Sequence, residues 1–128
     1  MKVLIVDDNA SVRRLIRSVL PALASEIYEC ANGADAIITY QARRPDVVLM
    51  DIRMDEVDGI QATERIKAAD QGARILIVTD YDDEELRRAA MRAGAWGYVL
   101  KNNLLALVQL LKAMEQALRE RRTGSTEH

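Results

Sequence analysis

A chain of 128 residues is long enough for one domain with a buried core and too short for two, so we expect a single folded unit. Its 18 basic and 20 acidic residues give a net charge of −2, which predicts neither direct nucleic-acid binding nor attachment to a membrane surface. With one cysteine and one histidine, His128, the sequence excludes a disulfide framework, a paired-cysteine metal site and catalysis by a histidine base.

The N-terminal sequence and the single cysteine favour a cytoplasmic protein. After Lys2 the chain enters an apolar run that is too short for the hydrophobic segment of a secretory signal. No apolar stretch approaches the length that crosses a bilayer. A lone Cys30 suits a reducing compartment.

Five short apolar runs alternate with helix-length segments. This alternation predicts a parallel sheet with helices on both of its faces. Most of the runs are continuously apolar, which indicates strands buried on both faces, whereas the run at 27–30 alternates and is expected at an edge. The predicted strands are 3–6, 27–30, 47–50, 75–78 and 98–100.

The segments between the strands carry the apolar spacing of amphipathic helices. Pro21 is expected to stop the first helix, and Asp58 is expected to cap the third. The fourth presents a thin stripe, mostly alanine, and we expect it to be the least firmly held. The predicted helices cover 9–22, 33–43, 58–69, a segment from the acidic run 82–85 to Gly94, and 104–121, followed by a polar tail or linker at 122–128.

The last predicted helix carries more leucine than one buried face requires. Two interpretations stay open for the extra apolar surface: a wide stripe facing the core, or a contact with a partner or a second copy. The basic end of this helix likewise fits either a linker to a further domain or the last helix of a domain that stands alone.

Polar side chains follow four of the apolar runs at the point where each strand ends. Asp7 and Asp8 follow the first, Asp51 the third, Thr79 the fourth and Lys101 the fifth. Because the carboxyl ends of parallel strands meet at the edge where ligands bind, we expect these groups to converge.

Three carboxylates in one pocket would repel one another unless a cation lay between them. An all-oxygen site of this charge suits Mg²⁺, which also binds phosphate oxygens. Magnesium could then join a carboxylate nucleophile to an incoming phosphoryl group, while Lys101 and Thr79 contact its other oxygens. The pattern therefore indicates Asp51 as a phosphoacceptor.

In their order and spacing, these residues resemble the receiver domains of two-component response regulators. The resemblance covers residues 1–121, and the stretch from Tyr81 to Lys101 is most similar to receivers of helix-turn-helix DNA-binding regulators. It rests on the acidic pair after strand one, Asp51, Met54, Asp58-Gly59, Thr79, Ala93-Gly94-Ala95, Tyr98 and Lys101.

This resemblance implies a flavodoxin-like α/β fold, a doubly wound five-stranded parallel sheet of order 2-1-3-4-5 with five helices. It implies phosphorylation of Asp51 by a histidine kinase or phosphotransfer protein. The surface formed by the fourth helix, fifth strand and last helix would control an output domain or partner protein, with transcription as the expected output, and could form a homodimer. Such a module promotes its own phosphotransfer and autodephosphorylation but is not a conventional turnover enzyme.

The resemblance also assigns roles at the metal site. Asp8 and Asp51 would bind Mg²⁺ directly, Asp7 would bind it through a water molecule, and the backbone carbonyl of Arg53 would add a ligand. Lys101 and Thr79 would contact the phosphoryl group.

Further positions are implied to respond to phosphorylation or to modulate it. Thr79 and Tyr98 would form the switch, in which the hydroxyl moves toward the phosphate and the aromatic ring turns inward. Arg53, Asp80 and Tyr81 flank the pocket at positions that tune the lifetime of the phosphate, or they are solvated surface side chains.

Four residues are candidates for a partner surface: Arg88, Arg92, Trp96 and Leu105. Trp96 lies in a short link where burial in the core would be awkward. We therefore interpret it as a tryptophan that faces a partner.

Three positions depart from the family pattern. Asp55 and Asn102 stand where receivers usually have proline, and Asp80 stands where they have a small residue. Asp80 could slow the approach of a phosphoryl group or point to solvent. The alternative function is therefore a receiver-like interaction module that works without phosphorylation. A phosphohydrolase is disfavoured because Arg53 stands where its general acid would be.

Overall fold

The structure is a computed structural model that describes residues 1–126, with side chains described for residues 1–121. Its strands are β1 (Lys2–Val6), β2 (Glu26–Cys30), β3 (Val47–Met50), β4 (Ile75–Thr79) and β5 (Gly97–Leu100). Its helices are α1 (Ala10–Ser18), α2 (Gly33–Arg43), α3 (Gly59–Ala69), α4 (Glu84–Arg92) and α5 (Leu104–Thr126). All strand pairs are parallel in the order β2-β1-β3-β4-β5, which confirms the predicted topology.

Alternate residues of the central strands enter two separate cores, one on each face of the sheet. In β1, Val3 and Ile5 belong to the core that α1 and α5 cover, whereas Leu4 and Val6 belong to the core under α2, α3 and α4. All four side chains are essentially inaccessible to solvent. Burial on both faces explains why these strands are apolar throughout.

β2 is an edge strand, as its alternating sequence predicted. It pairs only with β1, and both Glu26 and Glu29 are exposed while Cys30 is buried. The exposed edge carries charge: Glu29 accepts a hydrogen bond from the Arg13 guanidinium of α1 at 3.0 Å. Charged side chains of this kind discourage pairing of the edge with another chain.

α1 is shorter than its apolar stripe predicted. The prediction covered 9–22, but the helix ends at Ser18. Pro21 lacks a backbone N–H and disfavours helical backbone in the residue before it, so the chain leaves the helix first. Leu20, inside the predicted range but beyond the observed helix end, is nevertheless completely buried.

The ends of α3 and α4 follow the predicted signals. Asp58 caps α3, because its carboxylate accepts the N–H of Gln61, whose side chain accepts the N–H of Asp58 in return. Gly94 follows α4 with φ of 104°, a conformation that glycine adopts without strain. α4 fully buries only Ala90, which agrees with the predicted thin stripe.

α5 extends to Thr126, past the boundary predicted at residue 121. Its inner side buries Leu107, Leu111 and Met114, while Leu105 is exposed. The division into 1–121 and a tail stays a prediction, and residues 127 and 128 lie outside the described residues. Within the described chain, no helix is both long enough and apolar enough to cross a bilayer.

Candidate functional site

Two neighbouring strands deliver acidic residues to one place. Val6 at the end of β1 pairs with Met50 at the end of β3, so the residues that follow, Asp7 and Asp51, lie side by side. With Asp8 they form a cluster in which one carboxylate oxygen of each residue lies within 4.8 Å of the others. Asp7 and Asp51 are buried while Asp8 is exposed, so the cluster has a closed floor and an open side.

Lys101 follows β5 and reaches this carboxylate cluster. Its Nζ lies 2.7 Å from Oδ2 of Asp7 and 3.3 Å from Oδ2 of Asp51. The backbone N–H of Lys101 donates to the Thr79 carbonyl at 2.8 Å, which fixes the start of the loop although Asn102 follows instead of proline. Burial lowers the pKa of Lys101, but its hydrogen bond to Asp7 and the two carboxylate charges outweigh this effect and raise it. The side chain therefore carries a positive charge.

The environment of Asp51 opposes its negative charge. The residue is 6% exposed, and its Oδ1 accepts the N–H of Ile52 at 2.9 Å. Burial first, and then the charge of Asp7, raise the pKa of Asp51 from 3.8 to about 6, although Lys101 and the Ile52 amide act to lower it. The cluster thus holds more negative charge than its one ammonium group compensates, and a bound cation would stabilise it.

Asp7 is held by groups that the sequence did not point to. Its Oδ1 accepts the backbone N–H of Asn9 at 2.9 Å, and its carbonyl accepts a hydrogen bond from the Arg13 guanidinium at 2.6 Å. Asn9 also caps α1 by accepting the N–H of Ser11. An asparagine before a helix is a recognisable capping signal, but its contact with Asp7 depends on the turn between them.

The main chain of Tyr81 connects Thr79 with Tyr98. Thr79 is completely buried, and its hydroxyl oxygen accepts the N–H of Tyr81 at 3.2 Å. The Tyr98 hydroxyl donates to the carbonyl of Tyr81 at 2.6 Å. The Thr79 hydroxyl at the end of β4 and the Tyr98 hydroxyl of β5 therefore bind the main chain of the same residue, in the loop between β4 and α4.

Arg53, Tyr81 and Asp80 lie in the loops at the mouth of the site. The guanidinium carbon of Arg53 lies 4.6 Å from the centre of the Tyr81 ring. The Asp80 side chain is 75% exposed, and its Oδ2 lies 4.0 Å from Nζ of Lys101. Asp80 therefore faces solvent rather than filling the mouth. The role of the Arg53 carbonyl as a metal ligand stays a prediction.

A cavity of about 450 Å³ adjoins the open side of the cluster at Asp8. Besides Asp8, its polar lining residues are Asn32, Asp35, Asp55 and Glu56. Asp55, which replaces the usual proline, thus lies on the Asp8 side of the site. Asp35, Asp55 and Glu56 therefore add three acidic side chains around the open side of the site.

Two of the four predicted partner-surface residues are large and apolar, and the structure exposes both. Trp96 is 46% exposed and Leu105 is 69% exposed. Trp96 lines a cleft of about 170 Å³ with Arg74, while Arg88 and Arg92 lie together along α4. The structure does not gather these residues at the carboxylate cluster, and their contact with a partner stays a prediction.

The converging groups can hold a divalent cation and an oxyanion side by side. Oxygen atoms of Asp7, Asp8 and Asp51 suit a hard divalent cation. The Lys101 ammonium suits the oxygens of a phosphoryl group. Because the described cluster contains neither a thiol nor an imidazole, the nucleophile that it offers is a carboxylate.

Comparisons with known proteins agree with this geometry. The sequence profile of the response regulator receiver domain matches residues 3–115. Over 100 residues the chain is 42% identical to the chemotaxis protein CheY of Halobacterium salinarum, covering 78% of this chain and 83% of that protein. It is 37% identical over 100 residues to the regulatory protein AtoC of Escherichia coli, covering 78% of this chain but 22% of that protein. A crystal structure of a LuxR-family two-component response regulator from Aurantimonas sp. matches with a TM-score of 0.83 at 33% identity, covering 91% of this chain and 85% of that one.

Receiver domains are signalling modules rather than conventional turnover enzymes, and they bind Mg²⁺ at an acidic pocket. They interact with histidine kinases and output partners. The profile match over most of the chain and the shared topology agree with the acidic cluster at the strand ends. The chain therefore belongs to the response regulator receiver domain family.

Proposed function

We propose that residues 1–121 form the phosphoacceptor domain of a cytoplasmic two-component phosphorelay, with Asp51 phosphorylated by a histidine kinase or phosphotransfer protein. The position of Asp51 carries this proposal. It is buried at a strand end, where Ile52 binds one carboxylate oxygen and Lys101 lies 3.3 Å from the other. Residues 122–128 would form the tail or the start of a linker.

The proposed reaction is a substitution at phosphorus. Oδ2 of Asp51 attacks the phosphoryl group and forms an O–P bond as the P–N bond to the donor histidine breaks. The bonding electron pair leaves with the donor imidazole, which then takes up a proton from solvent. The Ile52 amide holds Oδ1 at 2.9 Å and so presents Oδ2 for attack. With a pKa of about 6, Asp51 is mostly deprotonated at neutral pH and can act as the nucleophile.

Lys101 and Thr79 would stabilise the transferred group. The ammonium of Lys101 is anchored by Asp7 at 2.7 Å and can exchange its contact with Asp51 for one with a phosphoryl oxygen. The Thr79 hydroxyl would bind a second oxygen. Its movement toward the phosphate would weaken the hydrogen bond from Tyr81 and so disturb the loop that also binds Tyr98.

The residues present fit Mg²⁺. Three carboxylates face one ammonium, and the pKa of Asp51 is raised by burial first and then by the charge of Asp7. We assign Asp8 and Asp51 as direct ligands, Asp7 as a ligand through water, and the Arg53 carbonyl as a further ligand. When bound, the ion neutralises the carboxylates and binds a phosphoryl oxygen.

Three residues at the mouth would set how long the phosphate lasts. The stacked pair of Arg53 and Tyr81 would limit the access of water to an aspartyl phosphate. Asp80 would add a negative charge near Lys101, at 4.0 Å. Slow autodephosphorylation would then depend on all three side chains.

The surface formed by α4, β5 and α5 would carry the signal to an output domain or partner protein that controls transcription, or to a second copy of the chain. The likeness to a LuxR-family regulator and to AtoC supports a transcriptional output. Arg88, Arg92, Trp96 and Leu105 would supply the contacts, and two of these side chains are apolar and exposed.

The test is intact-mass measurement after incubation with acetyl phosphate, with and without Mg²⁺. We expect the wild type to gain one phosphoryl group only when Mg²⁺ is present. Asp51→Asn should gain none, whereas Asp55→Asn, which changes a neighbouring carboxylate, should still be modified. A folded wild type that gains no mass from acetyl phosphate or from candidate kinases would instead support the phosphorylation-independent interaction module.

A further inference from the structure

Arg87 of α4 stacks on Tyr98 of β5. The guanidinium carbon lies 4.5 Å from the centre of the ring, within the range of a cation–π contact. The ring is half-buried and packs against the core that lies under α2, α3 and α4, and its hydroxyl donates to Tyr81 at 2.6 Å. Tyr98 is therefore held by the core, by its hydroxyl and by the cation.

The contact matters because few side chains of this helix pack against the core: Leu86 does so while partly buried. Ala90 is the one residue of α4 that is fully buried. The ion pair of Arg87 with Glu84 spans 3.9 Å between exposed side chains of the same helix, so it does not attach α4 to β5. The stack on Tyr98, in contrast, joins the two elements directly.

The hydroxyl of Tyr98 also connects this stack with the carboxylate cluster. Tyr81, which accepts that hydroxyl, donates its own N–H to the Thr79 hydroxyl oxygen at 3.2 Å. A continuous series of contacts thus runs from Thr79 through Tyr81 and Tyr98 to Arg87. Arg87 is the only member of this series on α4.

We propose that Arg87 is a positioning residue of the switch: its stack holds the Tyr98 ring where the hydroxyl reaches Tyr81, and so couples α4 to the Thr79 end of β4. This role in a switch rests on the proposed function. An exposed cation–π contact changes the ratio of the stacked position of the Tyr98 ring to a more exposed position by roughly two- to fivefold. Arg87 therefore adjusts the balance between the two positions without fixing it completely.

The inference is tested first in the unphosphorylated protein. Fluorotyrosine replaces the tyrosines, and the fluorine NMR signal of Tyr98 is assigned by its loss in Tyr98→Phe. The exposure of this signal is measured by the broadening that a soluble paramagnetic agent causes. Arg87→Gln should increase the fraction of exposed ring by roughly two- to fivefold, and Arg87→Lys, which keeps the cation, should restore most of the wild-type value.

Arg88→Gln is the matched control, because it removes the same charge from the next residue of α4. It should leave the Tyr98 signal unchanged. Equal exposure of Tyr98 in the wild type, Arg87→Gln and Arg88→Gln would overturn the inference. So would an increase in exposure that Arg87→Lys fails to restore, because loss of helix packing alone would then explain it.

Phosphorylation is measured separately on the same samples by intact mass with acetyl phosphate and Mg²⁺. Arg87→Gln should take up phosphate on Asp51 like the wild type, but its Tyr98 ring should remain more exposed than the wild-type ring after phosphorylation. Failure of every sample to gain mass contradicts the proposed function, whereas the NMR comparison of unphosphorylated variants decides whether Arg87 positions Tyr98. The two failures are therefore distinguishable.

Discussion

Gly59 stands so close to Asp51 that a β-carbon on it would lie 1.8 Å from the Asp51 carbonyl oxygen. The N–H of Gly59 also donates to the carbonyl of Ile52 at 2.8 Å. The start of α3 thus packs against the main chain of the residue that bears the reactive carboxylate, and no side chain fits between them.

We therefore expect Gly59→Ala to lower the free energy of unfolding by about 3 kcal/mol, because two backbone segments must separate to admit the methyl group. Urea denaturation measures this loss. Gly72→Ala is the matched control, since its β-carbon would lie 3.4 Å from a side-chain oxygen of Asp70, which is ordinary contact. Equal stability of the two variants would contradict the close approach of Gly59 to Asp51.

Asp51→Asn should stabilise the metal-free protein at neutral pH. The pKa of Asp51 is raised from 3.8 to about 6, so the folded state retains a proton that the unfolded state has released, and the wild type loses stability as pH rises through this range. The variant avoids this loss and should gain roughly 1–3 kcal/mol above about pH 6, with little gain near pH 4.

Chemical denaturation at a series of pH values in the presence of a chelator measures the gain. Asp80→Asn serves as the control, because it neutralises a nearby carboxylate whose side chain is 75% exposed. A gain for Asp51→Asn that is the same at both ends of the pH range would show that burial of its charge is not the cause.

The strand ends could be predicted from the sequence because each buried strand is an unbroken apolar run that stops at a polar residue. This pattern predicts Asp51, Thr79 and Lys101 at one edge of the sheet. The end of α1 is harder to predict. Leu20 continues the apolar spacing of the helix, but it lies beyond the helix end and is still buried.

The contacts around the site could not be predicted, since they depend on backbone groups and on loop shape. The link from Thr79 to Tyr98 runs through the N–H and carbonyl of Tyr81, which every residue type possesses. The stack of Arg53 on Tyr81 likewise joins two loops that are distant in sequence. Such contacts become visible only when the loops have definite positions.

Mg²⁺ should stabilise the wild type through the carboxylate cluster. At ten to a hundred times its dissociation constant, a ligand that binds only the folded state adds about 1.4–2.7 kcal/mol to the free energy of unfolding. Asp8→Asn removes the exposed carboxylate of the cluster and should abolish most of this gain. Thermal unfolding with and without Mg²⁺ gives the measurement.

The control for this prediction is Asp82→Asn, which removes an exposed carboxylate that is not part of the cluster. It should keep the full response to Mg²⁺. If Asp8→Asn and Asp82→Asn respond alike, the ion stabilises the protein by general screening of negative charge and not by binding at Asp8.

Tyr40→Phe should destabilise the protein in a pH-dependent way. Tyr40 is a buried residue of α2. Its hydroxyl donates to a carboxylate oxygen of Asp70 at 2.6 Å, and the Arg44 guanidinium donates to the same oxygen at 3.2 Å. The hydrogen bond from Tyr40 is the largest of the effects that lower the pKa of Asp70. Removing it should cost about 1 kcal/mol at neutral pH.

The direction of the pH effect follows from the depressed pKa of Asp70. Stability that depends on the charged carboxylate is present at neutral pH and is lost as the pH falls through its folded-state pKa, so the deficit of Tyr40→Phe should shrink in acid. Urea denaturation over a pH series tests this, with Tyr28→Phe as control because its hydroxyl also donates to a carboxylate, that of Glu26, in an exposed pair. A deficit for Tyr40→Phe that does not change with pH would mean that lost packing, and not the bond to Asp70, explains it.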